Sequence, residues 1–78
     1  MVVKGDLNLF NSPIKSLPQG VTIVGELVLS FTKIETLPKG LIVKGGLEIS
    51  GAPLEKYSNR QLKEMVKPGF IDGPIVRD

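Results

Sequence analysis

Apolar residues in this chain alternate with polar ones in short runs, and the runs recur. Residues 27–38 read LVLSFTKIETLP; residues 7–18 read LNLFNSPIKSLP and residues 47–58 read LEISGAPLEKYS, so one pattern returns every twenty residues. Alignment at that period puts Gly5, Gly25 and Gly45 in one column and Leu7, Leu27 and Leu47 in another. Leu9, Leu29 and Ile49 follow, then Ile14, Ile34 and Leu54, then Leu17, Leu37 and Tyr57. Before the glycine column, Met1 and Val3, Val21 and Ile23, and Leu41 and Val43 alternate in the same sense. A period of two residues within each run predicts strands, and a period of twenty between runs predicts stacking. The expected architecture is a mainly β solenoid of three 20-residue coils, its apolar columns piled at the strand spacing of about 4.8 Å.

A parallel sheet is expected over residues 7–9, 27–29 and 47–49, with a second, looser ladder over 2–3, 22–24 and 42–44. Pro18 and Pro38, each followed by Gly20 or Gly40, supply the turn between coils, proline presetting φ and glycine permitting any value. The return side of such a short circuit is expected to be extended or turn-like. The pattern breaks after Tyr57. Ser58 and Gln61 have the spacing of a capping box, Tyr57 and Leu62 that of a hydrophobic staple, and Pro68-Gly69 closes the segment. This predicts one domain: coils over 1–57, a capping helix over 58–67 that covers the last apolar layer, and an apolar tail over 68–78 that docks on the body or on a neighbour. No equivalent cap precedes the first coil, so a homodimer through the N-terminal edge repeat, or through the C-terminal tail, is the expected assembly.

The repeats also resemble a known family. LVL followed by Thr32, Ile34, Leu37 and Pro38 matches the core motif LxLxxNxLxxLP of leucine-rich repeat proteins. LPQGVTIVGELVLSFTKIET and LPKGLIVKGGLEISGAPLEK look most like the short-period bacterial and phage variety, LPxGLxVxGxLxLxxTxIxx. The resemblance covers residues 1 to about 57. It implies a protein-interaction module: a small phage or bacterial accessory protein that binds and modulates, or inhibits, a host protein. Ser12, Thr32 and Ala52 stand where the family places asparagine. The asparagine ladder is therefore expected to be weak or missing, and the stack straighter than a horseshoe.

Composition narrows the chemistry. Neither cysteine nor histidine occurs in the 78 residues, which removes disulfides, thiolate metal sites and the usual neutral-pH base. No metal or cofactor is expected. The N-terminal residues lack a secretory leader and no apolar run reaches about 18 residues, so a cytoplasmic protein without membrane contact is expected, in the host cytoplasm if phage-encoded. The net charge of +2 is spread along the chain with both signs interspersed, and nucleic acid is not the expected partner.

Asp6 and Glu26 share a column and would lie about 5 Å apart, the separation of a retaining glycosidase pair. An open sheet gives them no pocket, however, and two solvated carboxylates are the plainer reading. No enzymatic activity is expected. Gly45-Gly46 opens a strand and lacks P-loop spacing, so it reads as a corner. The favoured interface is the outward side of the sheet, Asn8, Val28 and Glu48, with Phe10, Ser30 and Ser50 next along. Phe31 joins Phe10 as a large apolar residue pointing to solvent, and Val2, Val24 and Ile42 do the same on the other run. The competing reading folds Phe10 and Phe31 back onto a corner. The alternative function is binding of an anionic surface, such as nucleic acid, through Lys56, Arg60, Lys63 and Lys67 on the basic C-terminal helix.

Overall fold

The computed structural model describes residues 2–77. Met1, assigned above to an inward column, lies outside the described residues. Among the described residues the chain is mainly β, with two four-stranded parallel sheets and one short α-helix. The first sheet runs β1 (Val2–Val3), β3 (Thr22–Ile23), β5 (Ile42–Val43) and β7 (Phe70–Ile71). The second runs β2 (Leu7–Asn8), β4 (Leu27–Val28), β6 (Leu47–Glu48) and β8 (Ile75–Val76). Each pair of strands joined at a glycine corner forms one rung, so the four rungs lie at residues 2–8, 22–28, 42–48 and 70–76. The ladder expected to be looser is as wide as the other.

Register is set by the apolar pattern. Leu7 pairs with Leu27, Leu27 with Leu47 and Leu47 with Ile75. Val3, Ile23, Val43 and Ile71 form the matching column of the other sheet. A slip by one residue would turn every one of these side chains to solvent, which is why register is tightly specified. The same bond recurs at each interface: the amides of Leu7, Leu27 and Leu47 donate to the carbonyls of Glu26, Gly46 and Pro74, each at 2.9 Å. The interior columns Ile23, Leu27, Leu29, Ile34, Leu41, Val43, Leu47, Ile49 and Leu54 are fully buried.

The two glycine columns work differently. Gly20 and Gly40 take positive φ, 75° and 83°, as the Pro-x-Gly turns require. Gly45 is needed for close approach instead: a Cβ there would stand 2.6 Å from the carbonyl oxygen of Gly25. Where the asparagine ladder is missing, local bonds close the bend. The amides of Ser12, Thr32 and Ala52 donate to the carbonyls of Leu9, Leu29 and Ile49, and the buried Thr32 hydroxyl donates to Leu29 at 2.8 Å.

The fourth rung differs from the expectation of three. The tail adds β7 and β8 to the two sheets, so of the two docking modes expected for it, the body is the one observed. Successive registers step by 20 residues from Thr22 to Ile42 but by 28 from Ile42 to Phe70. The eight extra residues accommodate a 3₁₀ turn at Pro53–Lys56 and helix α1 (Asn59–Met65), shorter than the expected span. Both halves of the capping box form: the Gln61 amide donates to Ser58 Oγ at 3.2 Å, and the Ser58 amide to Gln61 Oε1 at 2.8 Å. Leu62 and Val66 are fully buried, and the Gly40 amide donates to the Val66 carbonyl at 2.8 Å. The guanidinium of Arg77 fastens the end of the chain, donating to the carbonyls of Glu55 and Tyr57 and to Asn59 Oδ1.

Candidate protein-interaction surface

Because odd-numbered residues of the first three rungs point inward, their even-numbered neighbours form the outer faces. On the first sheet the outward column is Val2, Thr22, Ile42 and Phe70, with Val24 two residues along from Thr22 on the same face. Val2 is 61% exposed, Val24 and Phe70 are exposed, and Ile42 is partly covered. The apolar positions expected at Val2, Val24 and Ile42 therefore share one face and are extended by Phe70. On the second sheet the column is Asn8, Val28, Glu48 and Val76, with Asn8 and Val76 exposed and the middle two partly covered.

Phe70 and Val76 were missed as outward residues in the sequence. Their signal was present: residues 70–76, FIDGPIV, repeat the alternation and central glycine of residues 42–48, IVKGGLE, once an eight-residue insertion is allowed.

A third apolar feature lies past the second sheet. Asn11, Phe31 and Gly51 occupy one column, and all three have positive φ, at 58°, 60° and 72°. Asparagine and glycine suit that geometry; an aromatic side chain is strained there, at a cost of about 1–2 kcal/mol. Hydrogen bonds on either side hold Phe31 in place. Its amide donates to Ser50 at 2.9 Å, and the next residue, Thr32, is tied to Leu29 through its hydroxyl.

The Phe31 ring lies across Gly51, where a Cβ would stand 2.5 Å from two ring carbons. Phe10 meets Phe31 edge to face, with centroids 5.3 Å apart and planes at 71°. Such a contact contributes about 0.5–1.5 kcal/mol, which offsets the strain only in part. Both readings of these residues hold something: the rings pack on a corner, yet Phe10 stays 58% exposed and Phe31 51%. Ser30, expected to be outward, is buried beside this pair.

The carboxylate of Asp6 is committed to the backbone, its Oδ1 accepting the Glu26 amide at 2.8 Å. This contact extends the first sheet's ladder around the corner, so Asp6 is neither half of an open pair nor merely solvated. Among the described residues, no three histidine, cysteine, aspartate or glutamate side chains are grouped to hold a metal ion. The basic residues of the C-terminal segment are partly engaged. Lys67 Nζ pairs with Glu64 at 3.1 Å, and Lys56 Nζ lies 5.3 Å from the centre of the Tyr57 ring. Arg60 and Lys63 are exposed on α1, with Glu64 beside them. No helix among the described residues is long and apolar enough to cross a membrane. No family model, curated protein or solved structure matches the chain.

Proposed function

We infer that the chain is a leucine-rich-repeat-like β-solenoid, its three 20-residue coils continued by the tail, and that it acts as a non-enzymatic protein-binding module. In keeping with the phage or bacterial repeats it resembles, it serves as a cytoplasmic accessory protein that binds a host protein and modulates it. The observation that carries this reading is Phe31, a half-exposed aromatic held in left-handed backbone where the first and third repeats use asparagine and glycine. Folding gains little from an aromatic at such a position. Recognition gains more, because exposed aromatic side chains, phenylalanine among them, are enriched at the buried core of protein interfaces.

Phe31→Asn tests this, since Asn11 already fills the equivalent position. Stability should change by less than about 1 kcal/mol, as relief of strain offsets the lost ring contact. Immobilised wild-type protein should retain a stoichiometric protein partner from host lysate at physiological salt, and the Phe31→Asn and Phe10→Ser proteins should lose it. Equal retention by all three would overturn the reading, as would recovery of nucleic acid alone, released by modest salt.

A further inference from the structure

We propose that two copies of this chain associate through their first rungs, across a two-fold axis that passes beside Gly5. Among the described residues β1 and β2 are edge strands, each hydrogen-bonded to a strand on one side only. Below them Val3, Leu7, Leu9, Ile14 and Leu17 are only partly buried, whereas the residues one repeat on, Ile23, Leu27, Leu29, Ile34 and Leu37, are buried, Leu37 at 5% exposure and the others fully. The uncovered layer has the composition and spacing of the layers inside the molecule, so its best cover is another layer of the same kind. The far end offers a poorer match. There Ile71 is buried at 5% exposure and Leu62 and Val66 are sealed, which leaves Ile75 as the partly buried member of the strand columns, and the last strand is clamped through Arg77. Head-to-tail stacking would also fail to close, and would grow into a filament.

The sequence around the corner is complementary to itself when reversed. A two-fold axis at Gly5 reverses chain direction across the interface and sets residue 4 opposite residue 6 of the second copy, 3 opposite 7, and 2 opposite 8. Lys4 then faces Asp6, Val3 faces Leu7, and Val2 faces Asn8. Lys4, Gly5 and Asp6 are all exposed, and a Cβ on Gly5 would meet nothing within 4 Å, so the corner is open to a second backbone. Asp6 uses Oδ1 for the Glu26 amide and leaves Oδ2 for the lysine.

With Cα extents of 24 × 23 × 20 Å, two end faces in contact remove on the order of 1,000 Å² from water. That sits at the lower bound for a specific interface, and the dimer is expected to be weak and concentration-dependent. This association is independent of the Phe10–Phe31 corner and of any foreign partner.

Sedimentation equilibrium on the whole chain tests it, from about 1 µM to about 1 mM. The mass should rise from 8.4 kDa towards twice that value and stop. Lys4→Glu, which sets acid against Asp6, and Gly5→Val, which fills the open corner, should each weaken association about tenfold or more while leaving the thermal transition of the dilute protein in place. Phe70→Ser, at the other end, should change nothing. In wild-type protein, amide shifts that move with concentration should centre on residues 2–9, an outcome that needs no variant. A single-chain mass throughout would overturn the proposal, as would growth beyond two chains, unchanged association in both variants, or shifts centred on residues 70–77.

Discussion

The first and third rungs are built from nearly the same residues and fare very differently. Leu7 and Leu47 stand in one column with matching strand geometry, yet Leu47 is fully buried and Leu7 is only partly so. Gly5 and Gly45 share a column too; one faces open space and the other a backbone carbonyl. Burial here is a property of position in the stack rather than of the residue. The third rung is covered on one side by the second and on the other by the fourth, while the first rung, among the described residues, has a neighbour on one side alone.

That contrast can be broken most directly by truncating both leucines. Leu47→Ala should cost about 3–4 kcal/mol, as a cavity in a layer closed on both sides, and Leu7→Ala about 1–2 kcal/mol, because an open site loses less and relaxes more. Urea unfolding of dilute protein measures both, and equal costs would show that the two ends are equally packed. The glycines sharpen the same point through the backbone. Gly45→Ala should cost about 2–3 kcal/mol by forcing rungs apart, and Gly5→Ala should lie within about 0.5 kcal/mol of wild type. Thermal denaturation of the pair separates close approach from conformational freedom, since neither residue has positive φ. Arg77→Ala addresses the closed end and should cost about 1.5–2 kcal/mol, less than Leu47→Ala or Gly45→Ala, from loss of the charge-assisted bonds to Glu55, Tyr57 and Asn59. Amide exchange should then quicken in β7 and β8 before it does in β3 and β4.

Much of the scaffold was legible because it is written locally and repeatedly. Alternation named the inward residues, the period of twenty named their stacking partners, and Ser58 with Gln61 marked the start of α1 correctly. The fourth rung escaped notice because an eight-residue insertion moved it out of phase, although the Gly73 corner and the alternation around it are the same. Of the candidate surface, Val2, Val24 and Ile42 could be assigned to one face from parity alone. The strain at Phe31 could not, since no local signal distinguishes a left-handed phenylalanine from an ordinary one at the end of a strand. Nor could the role of Asp6, because its partner amide belongs to Glu26, one repeat away.

The sequence by itself determined which side chains face inward and which copies lie over one another, because strand parity and a fixed repeat are properties of the chain alone. Only the tertiary structure decided how deeply each copy is buried, that the tail closes the stack as a further rung, and that Phe10 and Phe31 meet. Those outcomes depend on which surfaces are left without a neighbour, and a neighbour exists only once the chain has folded around itself.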